Sequence, residues 1–422
     1  MKKNLLVGLL LFSTSLVFGQ DITGDWNGAF NMQGTQLRLV LHITKYADGY
    51  NATMDSPDQG AKGIPMSRVT FTNKVLTVEM DAIKFKYTGT LDNNEVVTGL
   101  FTQGGQSLPL NLTRGKIEKD KTASDMEIIS TIFMETPVIL ETKTGQIFGT
   151  LTTPKEFSKL PVVLIIAGSG PTDRNCNSSM LKSNAYKKLA YGLAENNIAS
   201  LRYDKRGVAE SKAALKNESD IRFDDYVNDA KEWIQLLKKD KRFSKVIVIG
   251  HSEGSLIGMI AGFKSDIFIS IAGVGQSADK TLKEQLSTQP EEVKNLSYPI
   301  IDSLKSGKIV KNVDPMLNNL FRLSVQPYII SWFKYEPQIE IQKLNIPILI
   351  VQGTNDIQVG VEDAKRLSKA NPKSQLVLID KMNHIFVTVE GDKQANIATY
   401  NDPTLPLAEG LVKDITDFIL KN

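Results

Sequence analysis

The strongest chemical signal in this chain is a serine between two glycines at the end of an apolar segment. The pentapeptide 250–254, centred on Ser252, follows the apolar residues 246–249 and precedes the helix-like residues 255–260. A strand, a sharp turn and a helix in this order present the central hydroxyl at the carboxyl end of a buried sheet. The flanking glycines leave room for so tight a turn. The pattern therefore predicts Ser252 as a catalytic nucleophile.

A serine hydroxyl needs a histidine to take its proton. The chain has three histidines. His42 lies far upstream in a separate β-rich region, and the elbow turns the side chain of His251 away from the hydroxyl. His384, just after the strand-like residues 375–379, is therefore the predicted base.

An acid must orient this histidine, and after such an elbow it is expected between the serine and the histidine in chain order. Asp356 meets this condition, because it lies in the loop after the apolar residues 347–351. Its alternative role is the N-cap of the helical segment 361–364. Asp380 is the competing carboxylate, but it would have to point back across the end of its own strand. We predict Asp356 as the acid.

Backbone N–H groups must stabilise the oxyanion of a tetrahedral intermediate. One predicted donor is the N–H of Glu253, directly after the nucleophile. The second is expected in the glycine-containing loop after the strand-like residues 162–166, where we assign Ser169, with Gly168 as the fallback. An ordinary turn at the end of a strand would explain the same glycines.

Taken together, these segments resemble the α/β-hydrolase superfamily, and more narrowly bacterial serine carboxylesterases with an extra amino-terminal β-domain. The resemblance rests on residues 168–174, 202–207, 250–254 and 353–356, with Asn383-His384, and covers about the last 290 residues. It implies an α/β-hydrolase fold, ester hydrolysis through an acyl-enzyme, and no metal or organic cofactor. Ala167 departs from the pattern, since many relatives have a histidine there. Because the oxyanion hole uses backbone N–H groups, this difference should leave catalysis intact.

Charged residues near these loops have a structural interpretation beside a functional one. Asp204 and Arg206 could touch substrate, but we expect a buried pair that holds their loop against the elbow. The same expectation applies to Asp173 and Arg174. Cys176 is the only cysteine in the chain, so it cannot form an intramolecular disulfide, and as a nucleophile it would need a base of its own.

Length and charge limit the classes of protein. The 422 residues, 41% of them hydrophobic, can bury a large core. The formal net charge is +3, which is not the strongly basic balance of a nucleic-acid-binding protein.

The first residues resemble a targeting segment. Two lysines, a short apolar stretch and Gly19 predict a signal peptide at residues 1–19, and therefore an exported, periplasmic or secreted protein without stable membrane insertion after cleavage. A retained anchor is the alternative, although the apolar stretch is shorter than a bilayer span.

Periodicity predicts the domains. Residues 20–115 alternate in hydrophobicity, as at Ile83, Phe85 and Tyr87, which indicates an antiparallel barrel or sandwich in which Trp26 plugs one end or stacks on a ligand. A charged linker follows at 116–127. Residues 128–422 alternate between strand-like and helix-like segments, which predicts a mostly parallel sheet with helices on both faces. The alternation stops at about 276–344, where we predict a helical lid.

The leading hypothesis is a serine carboxylesterase acting on small ester substrates. A serine aminopeptidase or dipeptidyl-peptidase-like hydrolase is the first alternative, and a glycan-directed acetyl esterase that binds polymer through its β-domain is the second. A coenzyme A thioesterase is less consistent with export. The oligomeric state and the natural acyl group do not follow from the sequence.

Overall fold

The computed structural model describes residues 21–32, 35–46, 49–57, 61–93, 95–103, 106–114, 133–179 and 181–422. Internal contacts divide the chain into two compact units, Met1–Asp120 and Lys121–Asn422. The predicted signal peptide and linker lie outside the described residues. The domain boundaries drawn from the sequence therefore stay a prediction.

The first unit is an antiparallel sheet of nine strands in the order β4-β3-β2-β1-β9-β8-β7-β6-β5. Its strands are β1 (Gly24–Met32), β2 (Thr35–Tyr46), β3 (Gly49–Ser56), β4 (Ala61–Pro65), β5 (Arg68–Thr72), β6 (Val75–Met80), β7 (Phe85–Leu91), β8 (Val96–Gln103) and β9 (Gln106–Thr113). One apolar cluster draws residues from strands as far apart in this order as β3 and β5, so the sheet curls around a single core.

Strict alternation explains why these segments are strands with one buried face. Along β7 every second residue is buried, beginning with Phe85 and Tyr87. Trp26 is fully buried and its Nε1–H donates to the carbonyl of Ile22, 2.7 Å away, as expected for a core residue. The placement of Ile83 on the same face was wrong. It ends a 3₁₀ turn and is largely exposed, because Lys84 has a positive φ that interrupts the strand.

The second unit contains an eight-stranded sheet in the order β10-β11-β15-β12-β16-β17-β18-β19. Its strands are β10 (Phe133–Thr142), β11 (Gly145–Pro154), β12 (Leu160–Ile166), β15 (Ala199–Tyr203), β16 (Phe243–His251), β17 (Ile267–Ile271), β18 (Ile348–Gly353) and β19 (Gln375–Ile379), while β13 (Asn177–Ser178) and β14 (Leu181–Lys182) form a separate small ribbon. The strands β15, β12 and β16 to β19 are parallel, and the β10–β11 hairpin joins them in antiparallel fashion.

Helices cover both faces of this sheet, since successive residues of β12 belong to two different apolar clusters. The helices are α1 (Ala185–Glu195), α2 (Phe223–Lys239), α3 (Glu253–Ala261), α4 (Ala278–Leu286), α5 (Glu291–Lys305), α6 (Asn318–Phe321), α7 (Gln326–Trp332), α8 (Pro337–Gln342), α9 (Val361–Ala370), α10 (Lys393–Ala398) and α11 (Leu411–Lys421). The predicted fold class is confirmed: an α/β-hydrolase sheet, a helical insertion from α4 to α8 between β17 and β18, and an all-β amino-terminal unit.

The inserted helices have an apolar cluster of their own, which includes Ile301, Leu304 and Phe321. They therefore pack as a small layer rather than as a loose loop. In the described part of the chain, no helix has both the length and the apolar composition to cross a bilayer.

Candidate active site

Ser252 lies at a sharp turn between β16 and α3. Its backbone has φ 54° and ψ −121°, a conformation that costs energy for a residue with a side chain. The neighbouring glycines are required sterically. A Cβ atom at Gly250 would lie 2.3 Å from the carbonyl oxygen of Gly254, and one at Gly254 would lie 2.4 Å from the carbonyl oxygen of Ile166. The turn presents the hydroxyl beyond the carboxyl end of the central strand.

Asp356 and His384 meet at the carboxyl ends of β18 and β19. His384 Nδ1 lies 2.7 Å from Asp356 Oδ2, and the carboxylate is fully buried. Burial opposes ionisation of Asp356, but the His384 ring and the N–H groups of Gln358 and Val359 hold its pKa below the usual value. The carboxylate can therefore orient the ring with its Nδ1–H toward the acid.

The two alternative roles considered for these loops are not adopted. Asp380 accepts a hydrogen bond from Thr354 Oγ1 at 3.2 Å, on the exposed side of the loop. The helix α9 has Gly360 as its N-cap, so Asp356 does not cap it.

Ser252 Oγ makes no hydrogen bond to any described residue, so the predicted nucleophile and the predicted base His384 are not in hydrogen-bond contact in this structure. Catalytic hydrogen bonds of this kind are often long until substrate is bound. The hydroxyl and the Asp356–His384 pair nevertheless occupy neighbouring loops, since the rings of His251 and His384 are 4.5 Å apart between centroids.

Two backbone N–H groups near Ser252 are available to a ligand. Ser169 and Glu253 both line the cavity described below, and within the described residues neither N–H donates a hydrogen bond. Glu253 is the first residue of α3, where an N–H has no intrahelical acceptor. The fallback donor Gly168 is already committed, because its N–H donates to Tyr186 Oη at 3.1 Å.

A buried chain of hydrogen bonds, called the relay below, connects three loops of the site. His251 Nε2 lies 2.9 Å from the carbonyl oxygen of His384, so Nε2 carries the proton and donates it. His251 Nδ1 then accepts the hydroxyl of Tyr186 at 2.7 Å, and Tyr186 accepts the N–H of Gly168. Burial lowers the pKa of His251 well below its usual value, which keeps the ring neutral. His251 is thus a structural partner rather than a second base.

A buried lysine and a buried carboxylate line the same cavity as Ser252. Lys205 Nζ donates to the carbonyl oxygen of Gly168 at 2.5 Å and lies 3.8 Å from Glu253 Oε2. The hydroxyl of Tyr328, in α7, donates to Glu253 Oε1. Burial lowers the pKa of Lys205 and raises that of Glu253, while each charge counteracts the shift of the other.

The outer charges are structural, but they do not pair as a simple Asp204–Arg206 couple. Asp204 accepts the Arg174 side chain at 2.6 Å, and Arg206 Nε donates to Asp229 at 3.1 Å. Asp173 caps its own loop by accepting backbone N–H groups. Cys176 is buried, and burial raises the pKa of its thiol to about 11, which leaves it a poor nucleophile.

A cavity of about 670 Å³ opens over Ser252. Apolar side chains from the inserted helices form much of its wall, among them Leu282, Leu320, Phe321, Ile329 and Trp332. Across the described ranges, no three His, Cys, Asp or Glu side chains come together as a metal site.

Sequence reasoning missed three residues that shape this site. Tyr186 lies in the first turn of α1 and Tyr328 in the inserted helices, and nothing in their local pattern marks them. Lys205 was overlooked between Asp204 and Arg206, although that charged tripeptide directly after a buried strand was itself a usable signal.

Comparison with known proteins agrees with this architecture. A family model described as "Hydrolase_4: Serine aminopeptidase, S33" matches residues 180–296. Esterase EstD of Thermotoga maritima is 23% identical over 414 residues, which are 92% of each chain.

Several solved structures are similar at low identity. Est1E from Butyrivibrio proteoclasticus is 17% identical, with 68% of this chain and 98% of that chain covered and a TM-score of 0.44. The acylaminoacyl peptidase of Pyrococcus horikoshii is 12% identical, with 91% and 61% covered and a TM-score of 0.44. The sheet order, the helices on both of its faces and the serine elbow after a central strand are those of an α/β-hydrolase fold, which this chain combines with an additional amino-terminal β-domain.

Proposed function

We propose that the protein is a serine carboxylesterase in which Ser252, His384 and Asp356 form the catalytic triad. The observation that most directly supports this proposal is the 2.7 Å hydrogen bond between His384 Nδ1 and the buried Asp356 carboxylate, on the loops beside the strained Ser252. Nucleophile, base and orienting acid are recognised by geometry and role, and they occur here in the chain order typical of this fold.

In the proposed reaction, Ser252 Oγ attacks the ester carbonyl carbon while His384 Nε2 accepts the hydroxyl proton. The carbonyl oxygen becomes an oxyanion, held by the N–H groups of Ser169 and Glu253. Collapse of this intermediate expels the alcohol, which takes the proton from His384, and leaves an acyl-enzyme. Water then repeats the sequence, with His384 again serving first as base and then as acid, and the carboxylic acid leaves.

An ester is the proposed substrate for two reasons. The similarity to Esterase EstD extends over 92% of each chain and so includes the amino-terminal unit. The wall that the inserted helices contribute is largely apolar, which suits the acyl or alkyl part of a small ester.

A serine aminopeptidase is the second candidate, because the matching family model carries that description. Such an enzyme must bind the substrate's α-ammonium group, usually with a free carboxylate. The two carboxylates that line the described cavity already have cationic partners: Glu253 lies beside Lys205, and Glu218 binds Arg322. This pairing favours a neutral substrate and thus the esterase.

The test is the hydrolysis rate on nitrophenyl acetate, butyrate and octanoate and on aminoacyl anilides, for the wild type and Ser252→Ala. Loss of the nucleophile should lower kcat by about a millionfold. Ester turnover that survives in Ser252→Ala would overturn the triad. Anilide cleavage that depends on Ser252 would instead put the aminopeptidase first.

Export is part of the proposal and rests on the sequence of residues 1–19. Fractionation of expressing cells, with mass spectrometry of the mature amino terminus, should find the protein outside the cytoplasm and beginning at Gln20. A cytoplasmic protein that retains Met1 would contradict it.

A further inference from the structure

Buried side chains hold the two successive peptide groups on either side of Gly168. The carbonyl oxygen of Gly168 accepts Lys205 Nζ at 2.5 Å, and the N–H of Gly168, one peptide earlier, donates to Tyr186 Oη at 3.1 Å. Gly168, Lys205 and Tyr186 are all buried. The backbone of this loop therefore has little freedom to rotate where it faces the nucleophile.

A peptide unit is planar, and in its trans form the carbonyl oxygen and the following N–H point in opposite directions. No described peptide bond in the chain is cis. Fixing the carbonyl oxygen of Gly168 therefore also fixes the direction of the Ser169 N–H. That N–H donates to no described acceptor, and Ser169 lines the cavity beside Ser252. The loop also lies against the nucleophile, since a Cβ atom at Gly168 would come within 3.1 Å of Ser252 Cβ.

We infer that Lys205 is a positioning residue of the oxyanion hole: its ammonium holds the Gly168 carbonyl so that the Ser169 N–H is directed at the developing oxyanion. This inference rests on the proposed function. A positive charge on the carbonyl side of an amide also draws electron density from its N–H, which makes that group a stronger donor.

The carboxylate of Glu253 helps to keep Lys205 protonated. An isolated ammonium in so buried a place would lose its proton. The carboxylate of Glu253, 3.8 Å away, counteracts that loss, and the backbone N–H of the same residue is the other proposed donor. One buried pair thus connects both donors of the oxyanion hole. The hydroxyl of Tyr328 keeps the carboxylate in place from the side of the inserted helices.

The experiment compares Lys205→Met, the double variant Lys205→Met/Glu253→Gln and the control Lys188→Met. Lys188 is a matched control, because its Nζ also donates to a backbone carbonyl, that of Leu405, at 2.5 Å, but it does not line the cavity. Active sites are titrated with a phosphonate that labels Ser252, so that kcat refers to competent protein. Thermal unfolding is recorded for each variant.

Lys205→Met should lower kcat by roughly 10- to 100-fold with little change in KM. This range lies below the roughly 10²- to 10³-fold cost of deleting an oxyanion donor, because the N–H is misdirected rather than removed. The Ki of a trifluoromethyl ketone should rise by a similar factor. Its carbonyl carbon bonds to Ser252 Oγ, the hydroxyl proton passes to His384, and the resulting oxyanion occupies the hole. The control inhibitor is the corresponding alcohol, in which a hydroxyl replaces the ketone oxygen and a methyl group replaces the trifluoromethyl group. It forms no oxyanion, so its Ki should not change.

The double variant distinguishes two causes of a defect in Lys205→Met: misdirection of the Gly168–Ser169 peptide, and a Glu253 carboxylate left without its charge partner. If the inference is right, the double variant has the same reduced kcat and the same reduced affinity for the ketone as Lys205→Met. Recovery of wild-type kcat in the double variant would mean that an unpaired Glu253 caused the defect, and would overturn the inference. The inference would also be overturned if Lys205→Met lost thermal stability but kept its kcat and ketone affinity, which is the result expected for the control Lys188→Met.

Ser252→Ala, measured in the same series, keeps the two proposals apart. Ester turnover that persists in Ser252→Ala overturns the proposed function and this inference with it. Turnover that disappears in Ser252→Ala but persists unchanged in Lys205→Met overturns the role of Lys205 alone.

Discussion

The two units of this protein bury different kinds of side chain. In the described part of the β-domain the buried set is apolar apart from Ser56. The catalytic unit buries Lys205 and Glu253, which line the cavity over Ser252, and it also buries His251 and His384. Burying an ionised group lowers the stability of the fold unless the group is paired. Even a buried ion pair rarely stabilises the fold more than apolar side chains of the same volume would. Packing for stability is enough to explain the first core, whereas the second contains buried ionisable groups near Ser252, the proposed nucleophile.

This contrast predicts that the largest effect on rate comes from the buried acid of the catalytic unit. Asp356→Asn should lower kcat by about 10⁴-fold, because the amide can hold His384 in the tautomer that cannot accept the serine proton. Steady-state kinetics on the best nitrophenyl ester would measure it. Asp380→Asn is the matched control, since it neutralises the neighbouring exposed carboxylate and should leave kcat near the wild-type value. Equal losses in both variants would remove Asp356 from its proposed role.

The next effect concerns stability and lies in the β-domain. Trp26→Ala removes the fully buried indole and its hydrogen bond to Ile22, so it should lower the free energy of unfolding by about 3–5 kcal/mol. Denaturant titration measures the change, with Tyr46→Ala, which truncates an exposed ring, as the control. The ester turnover per active site should stay unchanged. A fall in kcat per titrated site would contradict the separation between a structural and a catalytic core.

The relay between the loops should affect both stability and rate. Tyr186→Phe leaves the Gly168 N–H and His251 Nδ1 buried without their partner, which should cost about 1–3 kcal/mol in unfolding free energy. We also expect kcat to fall, because Gly168 precedes the proposed donor Ser169. Tyr335→Phe, whose hydroxyl binds Asp224 away from this relay, should leave kcat unchanged. A Tyr186→Phe enzyme with wild-type kcat would make the relay purely structural.

The smallest effect is expected at the Glu218–Arg322 ion pair between the body and the inserted helices. Hydrogen bonding from Arg322, against a smaller opposing effect of burial, holds the pKa of Glu218 below its ordinary 4.5. A carboxyl with a depressed pKa stabilises the fold fully above that ordinary value, and its contribution is lost as the pH falls through the folded-state pKa.

Because both side chains are more than a third exposed, solvent screens the pair, and Glu218→Gln should cost no more than about 1 kcal/mol at pH 7. The difference in unfolding free energy between wild type and variant should shrink toward zero as the pH is lowered to 3. A difference that is constant between pH 7 and pH 3 would show that the charge of Glu218 is not what stabilises the contact.

Much of the fold followed from local pattern. The strand Gln375–Ile379 has the bounds that the apolar pattern of residues 375–379 indicated. The misplacement of Ile83 shows where this reasoning stops. Alternation continues through the sequence there, but a positive φ at Lys84 turns the chain, and a single residue type does not announce such a turn.

The partners of charged residues could not be predicted in the same way. Asp204 and Arg206 are two residues apart and were expected to form one pair, yet each binds a residue from another segment, Arg174 and Asp229. A charged side chain pairs with the group that the folded sheet places next to it. The order of the strands depends on packing over the whole unit, so neighbours in the chain do not predict the partner.

The sequence by itself determined the elbow at Ser252, the alternation of strands and helices behind it, and the short list of groups able to act with the serine. Those features depend on glycine spacing and on periodicity, which are local properties. The tertiary structure decided that Asp356 rather than Asp380 reaches His384, and that Lys205 reaches the Gly168 carbonyl. These two contacts join residues that are 28 and 37 positions apart in the chain, and only the assembled sheet brings their loops together.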